Sequence, residues 1–486
     1  MNGVLSNLRP ELVWKHFENL TQHPRPSKKE LKVVEYVLSV IKKNNLEYEQ
    51  DSFGNIVVRK PATKGFENLK MVCLQGHLDM VCEKNSDVQF DFENDPIQVY
   101  IDNDWVKAKG TTLGADNGIG VAAALAIMES NEIQHGPIEF LFTLDEETGL
   151  TGANNLQPGF LKSDVLLNLD SEDEGVVFIG CSGGKDTEGR FNYKKDNLPK
   201  DSSSYTLKVT GLKGGHSGLD IHLGRGNAIK ILSRLLWNLQ EKFEIRLAKI
   251  EGGSKRNAIP REAFADIVVS SEKSKQLEQF VSEFNDIVKN ELQTVEPDLK
   301  IECESKNLPE FVIDLSTQKN LLNALYALPH GVIKMSADIT NLVETSTNLA
   351  TVTFGDSIVV GTSQRSSVES EKEDIVIMNR CVFILAGADY KHGDGYPGWK
   401  PDVNSEILKV FKSTYQKMFG KEPEVTAIHA GLETGIIKEK FPHMDMISFG
   451  PTIKGAHSPD ERVQISSVEK FFNLLVELLK NIPSKN

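Results

Sequence analysis

Four short apolar runs in this chain stop on, or just before, a side chain that can bind a cation or move a proton. Residues 71–75 (MVCLQ) lead into Gly76-His77-Leu78-Asp79-Met80, and 138–144 (IEFLFTL) lead into Asp145-Glu146-Glu147. Residues 165–169 (VLLNL) end on Asp170, and 444–449 (MDMISF) precede His457. Runs this short and continuously apolar read as buried strands. Segments with helical spacing alternate with them: 12–20, 30–44, 121–129, 405–419 and 468–481. That alternation predicts an α/β sheet covered on both faces. In such sheets ligands collect beyond the carboxyl ends of the strands, where these polar residues fall.

The pattern changes in the middle of the chain. A polar stretch, 185–204, reads as a domain boundary. Beyond it come an alternating strand at 205–209, an amphipathic helix at 227–239, strands at 244–251 and 263–269, and a second helix at 276–292. This order resembles a split βαβ unit. Further strands are expected at 348–354 and 357–362, and HGDGYPGWKPD (392–402) reads as a second linker. The expectation is one α/β domain, residues 1–186 and 401–486, interrupted by an inserted α+β domain over 187–400.

The polar turns have a chemical logic. His77 and Asp79 are two residues apart, so an extended chain points both to one side. An imidazole ligand needs a partner such as a carboxylate to fix its tautomer. In GTTLGADNGIG (110–120), glycines flank Asp116 ahead of a helix. A glycine-rich loop there can cradle phosphate, but Asp116 would put a negative charge at the anion site and suits a carboxylate shared by cations. Acids in a row after a buried strand are costly unless paired, solvated or bound to cations. Neighbouring side chains diverge, so one of Glu146 and Glu147 can ligate a metal while the other serves as base. Each element alone also fits a solvated turn; together they give two histidines and several carboxylates without cysteine, a donor set suited to zinc, cobalt or manganese.

Bulk properties narrow the partners. The net charge of −14 argues against nucleic acid and anionic membranes. The first 20 residues carry Arg9, Glu11, Lys15 and Glu18 where a secretory signal needs apolar sequence. No run of about 18 apolar residues occurs that could span a membrane. The five cysteines are scattered and odd in number, which fits a reducing cytoplasm.

Taken in order, GHLDM, GADNGIG, FTLDEETG, LNLDSEDEG, GGHSGLDIHLGRGNA, NAIPREA, HAGLETG and GAHSPDE resemble the M20 family of metallopeptidases, in particular its aminoacyl-histidine dipeptidase branch. These segments span positions 76–461, almost the whole chain. The resemblance implies a zinc-exopeptidase-type catalytic domain with a mixed sheet and an inserted lid. It implies two divalent ions, zinc foremost, with His77 and Asp170 on one, His457 and Glu147 on the other, and Asp116 bridging both. Glu146 would be the general base and Asp79 would orient His77. His216, in GGHSG, would polarise the scissile carbonyl; Asn257 and Arg365 would lie near the peptide carboxylate, with Glu433 a further substrate-pocket residue. Where HAGLETG carries Thr434, close relatives are expected to carry Cys. The substrates implied are dipeptides of the Xaa-His or β-alanyl-histidine kind and others, hydrolysed by hydroxide shared between the ions. A homodimer through the inserted domain is a further family expectation.

Three other readings are open, one of them a catalytically dead scaffold that binds metal or partners. The same metal site could cleave N-acyl amino acids. SGGKDT (182–187), after the apolar run VVFIG, looks like the pyrophosphate loop of ATP-dependent amidating enzymes. Residues 188–200, however, lack the helical stripe expected after such a loop.

Overall fold

The computed structural model describes residues 3–485 and divides into two compact units. The first contains the chain through Cys181, then Trp399–Ala427 and Leu432 onward; the second contains Ser182–Gly398 and Ile428–Gly431.

The first unit is built on an eight-stranded sheet. Its centre is parallel: Val72–His77 lies between Ile138–Thr143 and Val165–Asn168, and Asp445–Ser448 continues beyond Val165–Asn168. Glu47–Gln50, Ile56–Lys60 and Val176–Cys181 pair antiparallel with their neighbours, so the sheet is mixed. The central strands are buried along their length, which is why they read as unbroken apolar runs rather than as an alternation. Helix Ala115–Glu129 is apolar on every side because it packs on both helix Glu11–Thr21 and strand Val72–His77. The four parallel strands all end on one edge of the sheet, and the turns carrying His77, Glu146 and Asp170 leave from that edge. A small four-stranded sheet holds the last element: His457 sits between the paired strands Ile453–Lys454 and Arg462–Gln464.

The second unit has a nine-stranded sheet whose neighbouring strands pair antiparallel. Helices Ala228–Phe243, Ser274–Leu292 and Leu315–Ala327 bury apolar stripes in its core, along with Leu207, Leu247 and Ile267 from the strands. The strand–helix–strand–strand–helix order expected there is present.

The polar stretch taken as a boundary is structured. Gly183–Phe191 is a strand between Ile358–Ser366 and Asp389–His392. Its polar residues are partly exposed or satisfied within the sheet; buried Thr187, for example, bonds Gln364 and His392 at 3.0 Å each. Residues 183–187 of this motif are therefore strand, and among the described residues no helix follows them to aim backbone N–H groups at a phosphate. Part of the expected second linker also pairs, through bridges Gly184–Tyr396 and Cys181–Trp399.

Candidate metal centre and substrate residues

In the first unit the backbone brings five ligand-type side chains together. His77 ends its strand with its ring 1% exposed, and Nε2 lies 3.1 Å from Asp116 Oδ1 and 3.3 Å from Asp170 Oδ1. His457 Nε2 lies 3.2 Å from the other Asp116 oxygen and 3.2 Å from Glu147 Oε2. Asp116 thus stands between two three-residue clusters, each with one imidazole and two carboxylates.

These residues suit cations. Glu147 Oε1 and Asp170 Oδ1 are buried and accept no hydrogen bond among the described residues. Burial, with Asp116 beside it, drives the Asp170 carboxyl well above its ordinary pKa against the pull of His77. Burial does the same to Glu146, which also faces Asp170, Glu433 and Glu147. Hydrogen bonds to Asp116 and Glu147 raise His457 to about 11. Protons are being drawn into a site with more negative charge than two imidazoles can balance, which is the electrostatic demand a divalent cation meets.

Asp79 is fully buried behind the centre. Its Oδ1 is 3.3 Å from His77 Nδ1 and accepts the Glu146 N–H at 3.0 Å. Oδ2 takes Ser27 Oγ at 2.7 Å and the Glu147 N–H at 3.2 Å. One carboxylate therefore fixes both the His77 ring and the turn carrying Glu146 and Glu147. Glu433 is 1% exposed, and its Oε2 accepts from Gln75 and Thr143 at 2.7 Å each. Burial raises it to about 7.

His216, Asn257 and Arg365 belong to the second unit. His216 Nδ1 accepts the N–H groups of Gly218 (3.2 Å) and Leu219 (3.0 Å), which leaves the proton on Nε2. Burial and Arg365 lower its pKa, so the ring is a neutral Nε2–H donor. Arg365 is 7% exposed and lines a cavity of about 440 Å³ with Asn257 and Tyr396.

Sequence reasoning missed several residues around these groups. Glu461 is buried against the loop before Asp116, and Arg25 donates to the carbonyls of Leu78, Asp79 and Gly114. The polar Gln75 and Asn168, conspicuous inside apolar runs, were a signal: both are buried in the sheet near Glu433. Thr434 is buried too, its hydroxyl 3.8 Å from Cys181 Sγ.

The profile of peptidase family M20/M25/M40 matches residues 73–481. The chain belongs to this family. It is 45% identical over 482 residues to the cytosol non-specific dipeptidase of Escherichia coli (strain K12), covering 99% of both chains. Its structure resembles the crystal structure of the aminoacylhistidine dipeptidase from Vibrio alginolyticus, with TM-score 0.94 and 44% identity over 100% of this chain and 99% of that one. Aminopeptidase PepT of Bacillus cereus shares the fold at 16% identity, with TM-score 0.58 over 98% of this chain and 99% of the other. The α/β fold with a mixed sheet and an α+β insertion is that of this M20 peptidase.

Proposed function

We propose that this chain is a cytoplasmic metallo-dipeptidase that hydrolyses unblocked dipeptides, Xaa-His dipeptides among them. The observation that carries the reading is Asp116, with one oxygen toward His77 and the other toward His457. The names of the two proteins about 45% identical to it support the substrate class.

His77, Asp170 and Asp116 would hold one ion, and His457, Glu147 and Asp116 the other. Zinc fits this N/O donor set, and when bound such ions supply Lewis acidity and an acidified water. Glu146 takes the proton of the attacking water and passes it to the leaving amine. His216 donates from Nε2 to the carbonyl oxygen as negative charge develops on it, a contribution that grows toward the transition state. Arg365 pairs with the free carboxylate, aided by Asn257, which selects short substrates with that end exposed. Glu433 is a further residue of the substrate pocket. The protein works as a homodimer.

The test is a panel of β-alanyl-histidine, glycyl-histidine, leucyl-leucine, a tripeptide and N-acetyl-methionine, assayed before and after chelation with zinc, cobalt or manganese restored singly. Chelator-sensitive cleavage confined to dipeptides supports the reading. Cleavage of the acetylated compound alone would move the protein to amidohydrolase chemistry.

A further inference from the structure

Gly184 of SGGKDT packs against Tyr396. Tyr396 is bridged to Gly184 in both directions, its N–H donating to the Gly184 carbonyl at 2.9 Å and its carbonyl accepting the Gly184 N–H at 3.0 Å. A methyl group on Gly184 would sit 2.6 Å from the Tyr396 hydroxyl oxygen and 2.7 Å from Cζ. One on Gly431 would sit 2.6 Å from Cε2 of the same ring. Only glycine at both positions leaves room for the ring where it lies. Lys372, 3% exposed, clamps the Tyr396 carbonyl through Nζ at 2.7 Å. The outcome of this fixation is at the hydroxyl, which accepts from Arg365 Nη1 at 2.9 Å. Arg365 Nε is buried and has no hydrogen-bond partner among the described residues.

From this seat we infer that Tyr396 is a positioning residue for substrate recognition: it holds the Arg365 guanidinium so that its remaining N–H groups face the carboxylate of a dipeptide in the shared cavity. The inference rests on Arg365 reading that carboxylate. A guanidinium recognises a carboxylate through a planar pair of donors, so an arginine free to rotate loses much of its discrimination. Lys185, Asp186, Arg256 and Asp394 also line the cavity; Arg256 is paired with Glu188 and Lys185 with Glu373, which leaves Arg365 as the buried cation for the task.

The experiment compares the KM of a dipeptide with that of its carboxyl-terminal amide in the metal-loaded enzyme, for wild type, Y396F, G184A and R365M. The expected result is a KM for the free dipeptide raised about tenfold in Y396F and G184A, with the KM of the amide and both kcat values near wild type. R365M should abolish the preference for the free carboxylate. A collapsed preference in R365M with an unchanged one in Y396F would overturn the positioning role and leave the Arg365 reading standing. An unchanged preference in R365M would overturn both. A fall in kcat for both substrates in Y396F would show a general structural effect and would also overturn the inference.

Discussion

Glu461 and Asp116 are coupled through the backbone. Glu461 Oε1 accepts the N–H groups of Ala115 at 2.7 Å and Asp116 at 3.2 Å, while Oε2 takes those of Leu113 at 2.7 Å and Gly114 at 2.9 Å. A single buried carboxylate thus shapes the loop that presents Asp116. In E461Q, the amide turns an –NH2 group toward these donors in place of an acceptor. Metal affinity is expected to fall by about tenfold or more, as when other outer residues behind metal ligands are changed. Competition with a chromogenic chelator measures this, with circular dichroism checking the fold; wild-type affinity would refute the role.

Glu146 has a different signature. E146Q keeps the ligand-type residues and should bind metal as wild type does, yet lose activity by roughly a thousandfold or more, because the carboxylate assigned to take the proton is gone. Full metal content with near-normal kcat would remove Glu146 from the role of base.

For His216, the expected effect is on turnover. H216A removes the Nε2–H donor and should lower kcat by about 10²-fold, the range for loss of one oxyanion donor, with little change in KM. Equal loss in binding of an unreactive dipeptide analogue would show that the ring serves ground-state binding instead.

His429 makes stability depend on pH. It is 6% exposed, its Nε2 is 2.7 Å from Ser346 Oγ, and burial, then Arg365, lower its pKa from 6.5 to about 3. Between those values the unfolded chain binds a proton that the folded chain refuses. Stability from this residue is therefore complete above about pH 6.5 and is lost as pH falls. At pH 5 the loss would be up to about 2 kcal/mol, at 1.36 kcal/mol per pKa unit. H429Q should flatten the fall of Tm between pH 7 and 5; a slope equal to wild type would contradict the assignment.

The strands of the first unit were legible because burial on both faces leaves continuous apolar runs, and the turns after them stood out as polar breaks. His77, Asp116, Glu147, Asp170 and His457 could be picked out as residue types, and only the family resemblance implied their grouping around Asp116; the distances among them belong to the folded chain. Gly183–Phe191 was obscured because its polar residues are partly exposed or bonded within the sheet, so its sequence looks like a solvated connection. Glu461 was hidden for another reason. An acid two residues after a proline in SPDE looks like an ordinary surface turn, and only the folded chain shows four N–H groups converging on it. Tyr396 likewise lies in a glycine- and proline-rich segment whose pairing depends on a strand more than two hundred positions earlier in the chain.

The chain passes between its two units at four places: Cys181 to Ser182, Gly398 to Trp399, Ala427 to Ile428, and Gly431 to Leu432. The last two passages bring only Ile428–Gly431 into the second unit, yet that tetrapeptide supplies His429 to Ser346 and the glycine that makes space for Tyr396. A gene segment encoding 182–398 would therefore specify an insertion with a missing piece. Swapping this region between relatives as a cassette would graft a body onto a foreign plug.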